Sequence, residues 1–140
     1  MSTQRPVRNL DPYAVEFWDF TKNQELRLQR CNDCQKYRFP PGPSCDNCLS
    51  DNFEWVQVSG RGTVLSWTTF HRGYFPEYPA PHTNIVLELE EGPLFVSSPV
   101  DVEPPNLKLD MAMELRWEDA EDKFGEYQLP VFAPAKGGVR

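Results

Sequence analysis

Cys31-Asn32-Asp33-Cys34 and Cys45-Asp46-Asn47-Cys48 are two Cys-x-x-Cys pairs ten residues apart, and they hold all four cysteines of the chain. Each pair can close as a tight turn that aims both thiolates at one point. Two such knuckles face to face form a tetrahedral four-sulfur site, which suits zinc because that ion imposes no d-electron geometry. The spacer is long enough for a ribbon hairpin. Within it, Pro40-Pro41-Gly42-Pro43 is a stiff turn that delivers the second knuckle. Neither knuckle carries a glycine after its second cysteine; Gln35 and Leu49 stand there instead. Four cysteines leave no open coordination position, so Cys31, Cys34, Cys45 and Cys48 are read as ligands of a structural Zn²⁺. The same thiolates would hold iron. A redox pair fits less well, since there are two pairs and no surrounding βαβ pattern, and two disulfides fit poorly in a reducing compartment.

Outward from the cysteines, punctuation and period define the neighbouring elements. Asp11-Pro12 reads as a helix N-cap with proline in the first turn. Tyr13, Phe17 and Phe20 recur behind it at helical spacing, with Val15 and Trp18 widening the stripe, which predicts a helix over 12–23. Leu26 and Leu28 alternate with Arg27 and Gln29 as a short strand. Beyond the second knuckle, strands dominate. Val56 and Val58 alternate, and Gly62 to Phe70 is a β-branched and aromatic run. Asn84 to Glu90 is followed by a hairpin signal at Glu91-Gly92 and by Leu94 to Val100, then Leu107 to Trp117, then Tyr127 to Phe132. Five strands with short turns fit a small closed or partly open barrel of the OB type, with a small sandwich as the competitor on pattern alone. The expected organisation is an arm and amphipathic helix over 1–24, a zinc ribbon over 25–59, a barrel over 60–134 and a flexible tail over 135–140. The first ten residues are also read as mobile.

Composition narrows the function classes. The chain of 140 residues carries 14 Lys/Arg against 21 Asp/Glu, a net charge of -7. Residues 1–60 hold seven basic against eight acidic side chains, and residues 61–140 hold seven against thirteen, so the barrel half carries nearly all of the excess. A polynucleotide is therefore a poor partner, although OB barrels can bind single strands on aromatics along a basic groove. Single-stranded nucleic-acid binding stands as the alternative function. The N-terminal MSTQRPVRNL lacks an apolar signal core, and no apolar run approaches the roughly 18 residues of a membrane span, so the expectation is a soluble cytoplasmic protein without a membrane partner.

No catalytic set can be assembled from the residues. With four cysteines committed to metal, no thiol nucleophile is left. The histidines are His71 and His82, and there is no Gly-x-Ser-x-Gly elbow, phosphate loop or His-Glu-x-x-His motif. The carboxylates at Glu118, Asp119, Glu121 and Asp122 read as a solvated turn. Lys36 and Arg38, near the cysteines, either offset the charge of the thiolate cluster or grip an anionic ligand. The segment 71–83 packs three aromatics and three prolines between two strands. It is either a binding loop, in which stiff prolines present aromatics at low entropic cost, or a cap over the barrel end. His71, Arg72 and Phe75 join Lys36 and Arg38 as candidate ligand or partner contacts.

The order of motifs resembles a known family. Arg30-Cys31-Asn32-Asp33-Cys34, the proline turn and Cys45-Asp46-Asn47-Cys48 are followed by Ser59-Gly60-Arg61-Gly62-Thr63-Val64-Leu65-Ser66-Trp67-Thr68. Then come Leu87-Glu88-Leu89-Glu90-Glu91-Gly92 and Leu129-Pro130-Val131-Phe132. This is similar to the DUF35 family, a rubredoxin-like zinc ribbon joined to an OB-fold, over about residues 12–134. One departure is Leu109-Asp110-Met111, where the family usually has Ile-Gly-Met before the fourth barrel strand. The resemblance implies a non-catalytic subunit of a thiolase-superfamily acyl-CoA enzyme, a thiolase, acyltransferase or aldolase. A thiolase-like partner would supply the catalysis in a hetero-oligomer such as a heterotetramer, with acyl-CoA at the shared interface and the small subunit helping to wall the CoA channel.

Overall fold

Asp11 caps the first helix in the computed structural model, which describes residues 3–135. Its carboxylate accepts from the N–H groups of Tyr13 at 3.0 Å and Ala14 at 2.8 Å, and Pro12 opens helix α1, Pro12–Lys22. The helix ends in a Schellman turn. Gln24 sits at φ 57, its N–H donates to Thr21 O and that of Glu25 to Phe20 O. The aromatic stripe joins two sheets. Phe17 lies 5.4 Å from the Phe39 ring, Phe20 5.4 Å from Trp55, and Trp18 5.1 Å from Tyr127 (centroid distances).

The ribbon is a three-stranded antiparallel sheet in the order β3-β2-β4, made of Arg27–Cys31 (β2), Tyr37–Arg38 (β3) and Phe53–Gln57 (β4). The barrel strands are β5 (Arg61–Phe70), β6 (His82–Leu89), β7 (Leu94–Ser97), β8 (Ala112–Asp122) and β9 (Gly125–Pro134). They run β7-β6-β5-β8-β9 around the wall, and β9 returns to the β7 side through a parallel bridge between Pro99 and Phe132. This is a nearly closed five-stranded barrel of the OB type. Its interior is filled by Val64, Ile85, Leu87, Leu89, Phe95, Met113 and Phe132, which share one core with Phe17, Leu26 and Leu28 of the helix and ribbon. Gly62 is required where β5 crosses β6, because a Cβ there would meet Glu88 O at 2.9 Å.

Three expectations are corrected. The strand read from Leu107 begins at Ala112, because Pro104–Asn106 forms a 3₁₀ turn and Asp110 adopts φ 64, which breaks the pleat despite the alternating Leu107, Leu109 and Met111. The acidic run 118–122 is not a solvated turn. It is the second half of β8, paired residue by residue with β9 from Glu118↔Leu129 to Asp122↔Gly125. The N-terminal ten residues are not loose from Thr3 onward. Strand β1 (Thr3–Gln4) pairs in parallel with Ala120 and Glu121, Arg5 reaches Glu118 at 2.8 Å, and Arg8 reaches Asp122 at 2.7 Å. Opposite charge explains both: a basic arm lies along the acidic end of β8. The tail Lys136 to Arg140 lies outside the described residues.

Candidate metal centre

The two knuckles are built alike. In the first, Gln35 N–H donates to Cys31 O at 2.9 Å and Cys31 N–H to Lys36 O at 2.9 Å. In the second, Leu49 N–H donates to Cys45 O at 2.9 Å and Cys45 N–H to Ser50 O at 2.8 Å. Both turns demand a left-handed residue after the second cysteine, and Gln35 (φ 72) and Leu49 (φ 67) supply it at a steric cost that glycine would avoid. The Cys31 and Cys48 sulfurs are 3.6 Å apart, those of Cys34 and Cys45 3.5 Å, and all four lie within 4.8 Å of one another. A tetrahedral ion with Zn–S bonds of about 2.3 Å places its sulfurs about 3.8 Å apart, so the cage fits zinc.

The thiols do not ionise equally in such a cage. A hydrogen bond from the Asn47 side chain, then the Lys36 backbone N–H, holds Cys34 down at about 6. For Cys48, the Ser50 N–H favours the thiolate, but the Cys31 sulfur and the two other sulfurs crowded beside it outweigh this and push the group up to about 12. A fourth thiolate beside three others needs a cation, and a divalent ion supplies it. Zinc here is structural: four protein sulfurs fill its coordination sphere and tie β2 to the loop that leads into β4.

A polar clamp sets the second knuckle against the first. Gln29 is fully buried, and its Oε1 accepts from Arg38 Nε at 2.7 Å and from Gly42 N–H at 2.8 Å; Arg38 Nη2 donates to Gly42 O at 3.0 Å. Gln29 precedes the first knuckle by two residues and Gly42 precedes the second by three, so the clamp spans both. Alternation in 26–29 assigns Gln29 to the solvent face with Arg27. It is buried because the turn 40–43 folds over that face, a contact no local pattern announces.

The remaining candidates separate. Arg38 is 8 % exposed, lies 4.8 Å from the Phe53 ring and is spent on the clamp, so it is not a surface contact. Lys36 is half-exposed and paired with Asp46 at 3.1 Å. His71, Arg72 and Phe75 lie together on the exposed loop after β5, where Phe75 is 54 % and Tyr74 67 % exposed. The loop therefore does not cap the barrel with those two rings. Only Tyr78 turns inward, stacking on His82 at 3.8 Å. Among the described residues no helix is long and apolar enough to cross a membrane.

Residues 18–54 match the family model described as ChsH2, rubredoxin-like zinc ribbon domain, and residues 55–118 match ChsH2, C-terminal OB-fold domain. A solved chain described as Ltp2-ChsH2(DUF35) aldolase superposes with a TM-score of 0.78 at 32% identity, covering 93% of this chain and 98% of that one. A protein of Thermomonospora curvata named "Probable enoyl-CoA hydratase alpha subunit" is 35% identical over 132 residues, which is 94% of this chain and 40% of the relative. A "DUF35 domain-containing scaffold protein" of Pyrococcus furiosus is 39% identical over 80 residues, 55% of this chain and 57% of that one. The chain thus spans less than two thirds of the length of these two curated relatives.

Proposed function

The chain belongs to the DUF35 family, and from that premise we propose that it is the non-catalytic subunit of an acyl-CoA enzyme complex whose chemistry resides in a partner of the thiolase superfamily. The observation that carries this reading is the end-to-end likeness to the chain described as Ltp2-ChsH2(DUF35) aldolase, 98% of which is covered. The site geometry supports it. All four cysteines converge on one point, so none serves as an acyl-accepting nucleophile. The subunit stabilises the assembly and helps to wall the CoA channel. The contacts to partner or CoA are assigned to the exposed loop, His71, Arg72 and Phe75 with neighbouring Tyr74, and to Lys36 at the ribbon surface.

The names of two relatives, the hydratase alpha subunit above and a 3-oxo-4,17-pregnadiene-20-carboxyl-CoA hydratase alpha subunit of Mycobacterium tuberculosis, favour a second partner class, an acyl-CoA hydratase. Co-expression with a thiolase-like protein and with a hydratase-like protein encoded nearby distinguishes the two. The expected result is a stable complex with the thiolase-like chain, C–C bond chemistry only in the complex, and loss of assembly on Phe75→Asp. A complex with the hydratase alone would replace the partner assignment, and tight, steeply salt-dependent binding of single-stranded oligonucleotides by the lone chain would replace the subunit role altogether.

A further inference from the structure

The barrel closes incompletely. Val100 N–H donates to Phe132 O at 2.9 Å and Phe132 N–H to Ser98 O at 3.2 Å. Further along β9, Pro130 has no N–H to offer, and the seam is carried on by the Ser97 hydroxyl, which donates to Pro130 O at 3.0 Å. Beside it is a cavity of about 350 Å³, within the range of small-molecule pockets. Six rings line it: Phe17 and Trp18 from α1, Phe39 from the ribbon, Tyr78 from the loop after β5, Phe95 from β7 and Tyr127 from β9.

The cavity also carries polar groups. Tyr78 donates to Asn84 Oδ1 at 3.1 Å and lies 3.4 Å from the Ser98 hydroxyl. Arg5 and Arg8 line the same cavity from the arm. Each guanidinium already has its counter-charge, Glu118 for Arg5 and Asp122 for Arg8, so neither cation is left to neutralise a bound anion. Yet the Arg5 Nε–H is buried and has no partner among the described residues. A buried donor without an acceptor is costly, and a ligand oxygen would relieve it once a small turn of the Arg5 side chain opens that N–H to the cavity.

We propose that this seam cavity binds a small uncharged aromatic or alicyclic molecule, its ring body held among the six aromatic side chains and one carbonyl oxygen accepting from Arg5 Nε. Apolar walls select the ring, and the balanced charges select against a carboxylate, which would be desolvated without a free counter-ion. The assignment stands independently of the subunit role.

The test is a titration of the zinc-loaded full chain, followed by amide chemical shifts, with 1-tetralone, tetralin and tetralin-1-carboxylate. Saturable shifts confined to residues 95–98, 127–130 and α1 are expected from tetralone below about 0.3 mM. Tetralone should bind roughly 10-fold more tightly than tetralin, and the carboxylate weakest of the three. Arg5→Met should abolish the advantage of the ketone while leaving tetralin unchanged, and Leu129→Trp, which fills the cavity, should abolish both. Silence to tetralone in the folded protein, shifts that map elsewhere, or tighter binding of the carboxylate would overturn the site. A parallel loss of both neutral ligands in Arg5→Met would overturn the assignment of the oxygen to Nε.

Discussion

Three non-glycine residues hold left-handed backbone at turns that matter: Gln35 and Leu49 in the knuckles, and Asp110 where the family usually places glycine. Asp110 keeps the glycine-type turn; its N–H donates to Val64 O at 2.8 Å, and Val64 N–H returns to Met111 O at 3.0 Å. Leu49→Gly and Asp110→Gly should each raise unfolding stability by about 0.5–1 kcal/mol, the left-handed penalty less the entropy of glycine, as read by urea denaturation of the zinc-loaded protein. Asp122 is the other residue with a measurable signature. Hydrogen bonds from the Arg8 guanidinium hold its carboxyl at about 2, below the usual 3.8, against the opposing effect of burial. A depressed carboxyl adds stability that is fully present above about pH 4 and disappears as the pH falls through about 2. Asp122→Asn should therefore lie about 2 kcal/mol below the parent in urea denaturation at pH 7, with the gap closing toward pH 2.

At the level of elements, the ribbon is held by more than its metal. The clamp of Gln29, Arg38 and Gly42 fixes the turn 40–43 over β2 and so fixes where the second knuckle arrives. Gln29→Leu keeps the volume but strips an acceptor from two buried donors, a loss of about 2–4 kcal/mol. Zinc transfer to a chromogenic chelator should accelerate at least ~10-fold, while Gln29→Glu, which keeps the acceptor, should stay near the parent rate. The N-terminal arm is the second case. It has no hydrophobic period, so nothing local marks it as ordered; its order comes from β8, whose acidic end and open edge supply both charge and backbone partners.

For the whole molecule, helix, ribbon and barrel share one core, in which Phe17, Leu26 and Leu28 pack with Leu87, Phe95 and Phe132. Metal loss should therefore not leave an intact barrel beside a melted ribbon. Chelation, or Cys31→Ser, should remove the zinc and lower the melting temperature of the entire chain by more than about 10 °C in a single transition, followed by calorimetry and zinc content. Two separated transitions would show that the barrel holds without the ribbon.

Spacing alone determined the metal cage and the order of helix, ribbon and a five-stranded β half, because a Cys-x-x-Cys knuckle, an N-cap with proline and a two-residue alternation are local patterns that act within a few bonds of themselves. That the strands close as a barrel and not a sandwich was decided by their long-range pairing. The tertiary structure decided what those patterns could not reach. It buried Gln29 and Arg38 under a turn of their own chain, took Asp122 from an apparent surface run into a pair with Arg8, and opened a seam where Pro130 has no N–H to give. Each of these depends on groups that meet only after the chain has folded back on itself, and the free energy of burying a polar or charged side chain is set by the partner it meets, which its neighbours in sequence do not specify.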